Sequence, residues 1–397
     1  MDRPIRVVHV VRTVDAGGAE QQLLTLTRAL DRSIWAPSVI CTHYAGTLEA
    51  EFAAAGVPLI VVGKHGRYDV SLLPRLARAL ARQQPDIVHT WLFPGNSWGR
   101  AAVLLLPRRP IVIASERSVN VWKSVFHRAL DRFLARGTDM IVGNAAQVSD
   151  FVVNVEEIPA RKVTTIRNGI YLGRAQRCLA WTAEERTAYR RHIGLPTDAF
   201  VVGCIARPSW QKRLDLLAQV IRDLAARDVP VCLLHLGRDP SSDEVAHFEK
   251  YQRLLDEYGV RDLVVRRGFV RDVSSELAVM DALVQTSDIE GFPNAVTEAQ
   301  AMEVPVVATA AGGTSDLVIH RETGWLVPPG DVDGIVEGLA WVHRHPEEAR
   351  AWGRAARLHV EQHFSVDALV RNTTALYARL LRERGIEVPL APTAEGP

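Results

Sequence analysis

Short apolar runs rich in β-branched residues alternate with longer amphipathic stretches along the first half of the chain. Runs without regular polar interruptions are typical of parallel strands that are buried on both faces. The amphipathic stretches, such as Leu72–Arg82 with Pro74 near its start, predict helices between the strands. This alternation predicts a doubly wound α/β sheet. Its strands are predicted at Arg6–Val11, Ser38–Thr42, Leu59–Val62, Ile87–Thr90, Ile111–Ser115 and Met140–Gly143.

The same alternation restarts in the second half and predicts a second sheet of this kind. A polar, Arg-rich stretch with turn residues, near Asn168–Pro196, interrupts the pattern and is predicted to join two domains. A chain of 397 residues is long for a single core, which agrees with two domains. The last residues, Val388–Pro397, are rich in Pro and Ala and are predicted to be disordered. The second set of strands is predicted at Val201–Ile205, Val231–Gly237, Leu263–Gly268, Ala282–Gln285 and Val306–Ala308.

The composition argues against several classes of protein. Hydrophobic residues make up 47% of the chain and charged residues 23%, and no run of about 20 apolar residues predicts a transmembrane helix. The N-terminal segment has charges on both sides of its apolar run, so we expect a strand there rather than a signal peptide. The four cysteines form no CxxC pair, which argues against a disulfide framework or a zinc site and favours a cytoplasmic location.

Positive charge is concentrated in the first half. Residues 1–170 contain 21 Lys and Arg against 14 Asp and Glu, although the formal charge of the whole chain is only +1. This asymmetry fits an anionic partner, such as a membrane surface or a phosphorylated acceptor, and it equally fits scattered surface arginine without a target. In the same half, Trp122–Arg136 has apolar residues at helical spacing with basic residues between them. That pattern fits an interfacial helix at a membrane, or the commoner case of a core-facing helix with a solvated basic face.

The most informative stretch for chemistry is Ser287–Ser315, in which Glu290 and Glu298 have seven residues between them. Pro293 favours a helix N-terminus at Asn294–Ala301, where free backbone N–H groups and the positive end of the helix dipole suit a pyrophosphate. A glutamate further along such a helix can accept two hydrogen bonds from a ribose diol. The alternative is two surface glutamates around an ordinary turn.

Two further segments follow predicted strands. Arg207 and Lys212 lie in the loop after Val201–Ile205, where two cations would neutralise a diphosphate and stabilise charge developing on it. A solvated basic loop is the alternative. Gly17 and Gly18 follow the first strand, and their lack of a Cβ lets the backbone approach a ligand closely. The chain contains no GxGxxG spacing, which weakens a nicotinamide or flavin interpretation.

These motifs stand in an order that belongs to a known family. The sequence resembles the retaining glycosyltransferases of family 4, the bacterial group 1 glycosyltransferases, which have the GT-B fold of two Rossmann-like domains facing across a cleft. The resemblance covers most of the chain, and the block with the two glutamates is its most specific part. The matching segments are GGAE at Gly17–Glu20, PDIVH at Pro85–His89, NGI at Asn168–Ile170, the Arg207–Lys212 pair, EGFPNAVTEAQA at Glu290–Ala301, PVVAT at Pro305–Thr309, Gly312–Gly313 and GWLVPPGD at Gly324–Asp331.

The resemblance implies roles for the matching residues. Arg207 and Lys212 would hold the donor diphosphate, and no metal or other cofactor would be needed. Glu290 would bind the hydroxyls of the transferred sugar, and Glu298 the ribose. The remaining donor-binding positions are Gly17 and Gly18 from the first domain and Phe292, Pro293, Asn294, Ala295 and Val296, whose backbone would meet the sugar and phosphates.

The resemblance also implies the domain boundaries. The last helix, expected at Val366–Leu381, would return to the first domain. Residues 1–173 and 372–397 would then form the acceptor domain, and residues 174–371 would form the domain that binds the nucleotide sugar.

One position departs from the family pattern. Many relatives have a His after the fifth strand of the first domain, in contact with the donor sugar, whereas this chain has Glu116 and Arg117 there. Either of these side chains, or His89, is a candidate for that contact on the acceptor side.

The activity expected from the resemblance is transfer of a hexose from a nucleotide sugar, expected to be UDP-linked, to an acceptor hydroxyl with retention of configuration. The acceptor could be a glycolipid, a polysaccharide or a secondary metabolite, with peripheral membrane contact through the basic half and no nucleic acid partner. The alternatives are a sugar-nucleotide 2-epimerase on the same scaffold and a non-catalytic nucleotide-sugar-binding protein.

Two local patterns invite other interpretations. Asp331 and Asp333 mimic a DxD metal motif, but their place after Pro328–Gly330 predicts the N-cap of a helix at Gly334–Arg344. The aromatic stretch Trp91–Trp98 is predicted to be a loop, which either binds an acceptor ring or lipid or packs against its neighbours.

Overall fold

A computed structural model describes residues 3–15, 17–66 and 69–388. The chain divides into two compact units: unit 1 runs to Gly169 and resumes at Val366, and unit 2 is Ile170–Ser365. The predicted boundaries, at 173/174 and 371/372, fall inside helices, whereas the observed division falls before each of those helices. Each unit contains one parallel sheet with helices on its faces, which confirms the doubly wound α/β prediction.

Unit 1 has seven parallel strands in the order β3-β2-β1-β4-β5-β6-β7. The strands are β1 (Ile5–Val11), β2 (Trp35–Cys41), β3 (Leu59–Val61), β4 (Ile87–Trp91), β5 (Ile111–Glu116), β6 (Met140–Gly143) and β7 (Val163–Thr165). The helices that follow the first six strands are α1 (Gly18–Ala29), α2 (Glu49–Ala54), α3 (Leu72–Gln83), α4 (Leu92–Val103), α5 (Val125–Ala135) and α6 (Ala146–Asn154).

Strand β1 shows why the apolar runs are continuous. Val7 and Val11 belong to the core that also contains Leu23 and Leu26 of α1. Val8 and Val10 belong to a second core on the opposite face, under α3 and α4. Because successive side chains of a strand point to opposite faces, a strand covered on both sides needs apolar residues at every position.

Unit 2 has six parallel strands in the order β10-β9-β8-β11-β12-β13. The strands are β8 (Phe200–Ile205), β9 (Val231–Leu236), β10 (Val264–Arg267), β11 (Ala282–Gln285), β12 (Val306–Thr309) and β13 (Trp325–Val327). The helices are α7 (Leu172–Leu179), α8 (Ala183–His192), α9 (Leu214–Ala225), α10 (Val245–Glu257), α11 (Ser274–Leu277), α12 (Asn294–Ala301), α13 (Thr314–Leu317), α14 (Val332–Arg344) and α15 (Pro346–His363).

The last helix, α16 (Val366–Arg382), belongs to unit 1, as the returning helix was expected to. Its Leu376 and Leu380 lie in the same core as β1 and α1. The Tyr377 hydroxyl hydrogen-bonds to Nδ1 of His89 on β4 at 2.6 Å. Unit 1 is therefore completed by a segment that follows the whole of unit 2 in sequence.

Trp91–Trp98 is not a loop, because α4 begins at Leu92. Pro94 is the third residue of the helix, where its lack of an N–H removes no intrahelical hydrogen bond. Gly95 faces the sheet, where a Cβ would come within 2.7 Å of the Val10 carbonyl oxygen. The loop prediction is wrong because Pro and Gly, which usually indicate a turn, here allow a helix to lie close to β1.

The division between Gly169 and Ile170 lies at the start of the predicted junction near Asn168–Pro196, and the rest of that stretch contains α7 and α8. Two other local predictions are confirmed. Helix α12 begins at Asn294, and Asp331 Oδ1 accepts a hydrogen bond of 2.9 Å from the Gly334 N–H at the start of α14. Within the described residues, no helix is long and apolar enough to cross a membrane. The predicted disordered tail lies outside those residues, apart from Val388.

Candidate active site

The carboxyl ends of β8, β11 and β12 meet in the middle of the unit 2 sheet. Strands β8 and β11 are neighbours although β9 and β10 lie between them in sequence, so the strand order reverses at this point. Open parallel sheets bind their ligands at such a switch point. A pocket opens here between the carboxyl ends of β8 and β11. Its lining includes Ala206, Lys212, Thr286, Ser287 and Ala295.

Lys212 and Glu290 lie together at this pocket. The Lys212 Nζ is 2.5 Å from Glu290 Oε1, and the Ser287 hydroxyl donates to the same oxygen at 2.6 Å. Glu290 is buried while the Lys212 side chain remains partly exposed. The structure thus brings two predicted catalytic residues, 78 positions apart in sequence, into direct contact.

Arg207 lies on the same loop as Lys212 but contacts a different carboxylate. Its Nη1 is 2.6 Å from Oε1 of buried Glu244, and Arg238 lies 2.8 Å from the other oxygen of that carboxylate. Burial raises the pKa of Glu244, but hydrogen bonds from Ser241, Arg238 and Arg207 outweigh it and bring the pKa to about 2. Glu244 is therefore ionised at neutral pH and holds two cations at the ends of β8 and β9.

Helix α12 begins beside Lys212. Pro293 precedes its first residue, and Ala295 in its first turn lines the pocket. The first N–H groups of an α-helix have no intrahelical acceptor, so this end can receive an anion. The ring of Phe292, just before this turn, lies 5.4 Å from the ring of Phe364. Val296 is fully buried, whereas Asn294 and Glu298 are partly exposed on the helix.

Hydrogen bonds to backbone carbonyl groups join the loops of the pocket to each other. The Thr286 hydroxyl donates to the Lys212 carbonyl at 2.8 Å, and the Asp288 N–H donates to the Gln211 carbonyl at 2.9 Å. Gly312 has a φ of +56°, and a Cβ there would overlap the Glu290 carbonyl oxygen. Glycine is required at Gly312 because both the backbone conformation and the close contact exclude a side chain.

The remaining predicted residues belong to unit 1. Gly17 is the N-cap of α1, and Gly18 is its first residue. Asp15 fixes the preceding loop by accepting hydrogen bonds from the Thr13 and Tyr44 hydroxyls, both at 2.9 Å. Burial raises the pKa of Glu20 in the first turn of α1, against opposing effects of a backbone N–H and Arg117.

His89 is enclosed in the interior of unit 1. Its Nδ1 contacts the Tyr377 hydroxyl and its Nε2 contacts the Ser115 hydroxyl at 2.8 Å. Burial, with smaller effects of His9 and Arg117, holds the pKa of His89 well below its usual value. Both ring nitrogens of this neutral imidazole have internal partners. The role of His89 here is therefore to hold β4 and α16 together.

Glu116 and Arg117 have different surroundings at the end of β5. Glu116 is buried and accepts hydrogen bonds from Asn96 and Asn120 at 3.0 and 2.8 Å. Arg117 is also buried, donates to Asn168 Oδ1 and lies 4.9 Å above the Trp91 ring. Burial lowers the pKa of Arg117 to about 10, which leaves it charged at neutral pH. Its Nε is buried and has no hydrogen-bond partner among the described residues.

Glu244, Ser287 and Asp15 were missed in the sequence. Ser287 is the first residue of the stretch with the two glutamates, and Asp15 lies in the segment with the glycine pair, so position alone could have suggested both. Glu244 lies in a segment without a motif, and only folding shows that it faces Arg207.

The chain matches two family models that divide it near the observed unit boundary. The model for Glycosyltransferase Family 4 matches residues 16–174, and the model for glycosyl transferases group 1 matches residues 185–359. Among curated relatives, the chain is similar to D-inositol 3-phosphate glycosyltransferase of Kribbella flavida, with 23% identity over 95% of this chain and 96% of that protein. It is also similar to N-acetyl-alpha-D-glucosaminyl L-malate synthase of Bacillus anthracis, with 22% identity over 80% of each chain.

Solved structures share the fold. Anabaena Alr3699/HepE in complex with UDP superposes with a TM-score of 0.82 at 19% identity, covering 94% of this chain and 100% of that one. A glycosyltransferase from Rickettsia africae superposes with a TM-score of 0.83 at 18% identity, covering 96% and 99%. With both family models matched in order and with two Rossmann-like units, the chain belongs to the GT-B glycosyltransferases of family 4, group 1, which use nucleotide-sugar donors.

Proposed function

We propose that this glycosyltransferase moves a hexose from a UDP-sugar to an acceptor hydroxyl, retains the anomeric configuration and needs no metal ion or other cofactor. The observation that carries the proposal is the contact of Lys212 and Ser287 with Glu290 at the switch point of the unit 2 sheet. The choice of UDP is supported by structures of the same fold, since HepE was solved in complex with UDP-glucose and Staphylococcus aureus TarM with UDP.

The donor would be held by charge and by helix geometry. A diphosphate beside the first turn of α12 would receive backbone N–H groups and the positive end of the helix dipole. Lys212 and Arg207 would neutralise it, each exchanging a carboxylate partner for phosphate oxygens. Glu290 would then accept hydrogen bonds from sugar hydroxyls, and Glu298 from the ribose.

The chemistry would break the bond between the anomeric carbon and the β-phosphate oxygen. The acceptor oxygen would attack the same face of the sugar, and its proton would pass to the departing phosphate oxygen. Lys212 would stabilise the charge that develops on that phosphate, an effect that is larger in a preorganised site than in water. The Cys204 thiol at the pocket is no candidate nucleophile, because burial raises its pKa to about 12.

The acceptor would bind at unit 1 and carry negative charge. Arg117 is a charged, buried side chain that directly follows β5, its Nε has no hydrogen-bond partner among the described residues, and it lies close enough to Glu20 for the two charges to interact. It is our candidate for the residue that replaces the His of many relatives. The names of two relatives specify acceptors with an acidic group, inositol 3-phosphate and malate, which agrees with this choice.

Nucleotide binding and sugar transfer test the proposal separately. Thermal shift against UDP, GDP, ADP, CMP and NAD, with EDTA present, should show selective stabilisation by UDP, because a ligand of the folded state raises the melting temperature. Glu290→Ala should abolish transfer with a modest effect on UDP affinity, whereas Glu298→Ala should weaken UDP binding first. Glu249→Ala, an exposed carboxylate on α10, is the matched control.

Full activity of both site variants would contradict the proposal. Stabilisation by NAD alone, or by none of the nucleotides, would contradict the choice of donor. The anomeric configuration of the product, measured by NMR, decides between retention and inversion, and activity that disappears with EDTA would refute metal independence.

A further inference from the structure

Helix α5 turns its apolar side toward solvent. Phe126 is 86% exposed and Phe133 is 55% exposed. Leu130 lies on the same side of the helix and is also exposed, as are Val125 at the start of the helix and Val121 and Trp122 in the turn before it. The core-facing interpretation of the apolar residues at helical spacing is therefore wrong for most of them.

Charged groups lie on the opposite, inward side of α5. Lys123 is completely buried between exposed Trp122 and Ser124, and its Nζ lies 3.4 Å from Glu116, 2.8 Å from Asp131 and 2.7 Å from Glu156. Asp131 also pairs with buried Arg100 on α4. We call these five residues, Arg100, Glu116, Lys123, Asp131 and Glu156, the ion cluster.

This polarity is the reverse of that of an ordinary surface helix, which packs its apolar stripe on the core and shows charge to water. The ion cluster attaches the turn and helix to unit 1 together with buried Leu134 and Ala135, and the aromatic side chains of this segment take no part in that attachment. Trp122 packs edge-on against Phe93 at 5.0 Å, so the apolar surface is continuous from α5 to the start of α4. An apolar surface of this kind on a folded protein marks a binding surface.

Basic side chains border the apolar side. Arg128 and Arg132 lie on α5 and Arg136 directly follows it, and Arg109 lies beside the end of the helix, where it donates to the Gly137 carbonyl at 2.9 Å. Arg132 pairs with exposed Glu157, and Arg136 lies over the Phe133 ring, so its charge stays next to the apolar patch. Exposed aromatic and aliphatic side chains flanked by arginine suit the boundary between anionic headgroups and acyl chains.

We propose that α5 and its preceding turn dock on the surface of an anionic lipid bilayer, with Trp122, Phe126 and Phe133 entering the headgroup region. A second copy of the chain would fit an apolar patch, but it would place the arginines of one copy against those of the other. An anionic bilayer satisfies the apolar side and the charges together. The proposal requires no donor or acceptor and so goes beyond the proposed function.

Sedimentation with lipid vesicles tests the proposal with the full chain. Vesicles of phosphatidylcholine with about one-third phosphatidylglycerol should bind the protein, more weakly at high salt, and vesicles of phosphatidylcholine alone should bind it much less. The double variant Phe126→Ser/Phe133→Ser should lose roughly tenfold or more of the partitioning, since each ring removed forfeits apolar burial. Arg128→Glu should weaken binding to the anionic vesicles only.

The control is Val70→Ser/Leu358→Ser, which removes two side chains that are 82% and 58% exposed and belong to other segments of the chain. It should bind vesicles like the wild type. Because all these positions are on the surface, unchanged melting temperatures will show that the variants fold, and unchanged UDP binding will separate this result from the proposed function. The proposal would be overturned if the wild-type protein did not bind anionic vesicles, or if the double variant bound them like the wild type. A lipid-free dimer that Phe126→Ser/Phe133→Ser dissociates would identify a second copy as the occupant and overturn it as well.

Discussion

The ion cluster predicts an unusual dependence of stability on pH. Its three carboxylates, when all are ionised, face only two cations, Lys123 and Arg100. Burial raises the pKa of Glu156 first, and the negative charges of Glu116 and Asp131 raise it further against the opposing effect of Lys123. The result is a pKa of about 7, compared with an ordinary value of 4.5.

The direction of the effect follows from proton binding. Between pH 4.5 and 7, folded Glu156 keeps a proton that the unfolded chain has released, so folding takes up a proton and stability falls as pH rises. The contribution is present below pH 4.5, declines by about 1.4 kcal/mol per pH unit, and is lost once pH passes about 7. Over that window the loss is on the order of 3 kcal/mol.

The test is Glu156→Gln, which replaces the ionisable carboxyl group with a neutral amide of similar size. Urea unfolding followed by circular dichroism from pH 5 to 8 should show wild type and variant nearly equal at pH 5, and the variant more stable by about 2–3 kcal/mol at pH 8. Glu157→Gln, the exposed neighbouring residue, is the control and should change stability little. A difference between wild type and Glu156→Gln that stays constant from pH 5 to 8 would refute the reasoning.

Three further variants test the site and the core. Lys212→Met should lower kcat by about 10²- to 10³-fold in a transfer assay, whereas Lys250→Met, an exposed lysine on α10, should not. Gly312→Ala should destabilise the chain by about 1–3 kcal/mol and also lower kcat, because the new Cβ would overlap the backbone of the site. Its control is Gly330→Ala, where φ is +85° but the surrounding space is open, and this variant should affect stability alone. Tyr377→Phe should cost about 1–3 kcal/mol in urea unfolding, since it leaves a buried imidazole nitrogen without a partner. Unchanged kcat for Lys212→Met, or unchanged unfolding for the other two, would contradict these assignments.

The sheets were predictable because most of their strands are covered on both faces and therefore consist largely of apolar residues. Val163–Thr165 and Trp325–Val327 were missed as strands, since each is short and lies at the edge of its sheet. Helix α4 was missed because Pro94 and Gly95 have local preferences that contact with the sheet overrides.

The candidate site was predictable where a motif marks it. Lys212 and Glu290 stand in segments with distinctive spacing, and the structure places them in contact. The partner of Arg207 was not predictable, because a glutamate without a motif acquires its role only when β8 and β9 bring their ends together. The orientation of α5 was not predictable either, since helical spacing shows that the apolar residues share a side but not which way that side faces.

The return of α16 to unit 1 has a consequence for the order of folding during synthesis. Leu376, Tyr377 and Leu380 belong to the core of unit 1, yet the ribosome adds them after every residue of unit 2. At about 5–20 residues per second, the interval between Gly169 and the end of α16 is on the order of 10–40 s. Throughout that time the nascent first unit has a gap in its core, whereas the second unit can finish folding. A chain truncated before Val366 would therefore release one completed unit joined to one that exposes apolar surface to chaperones and proteases.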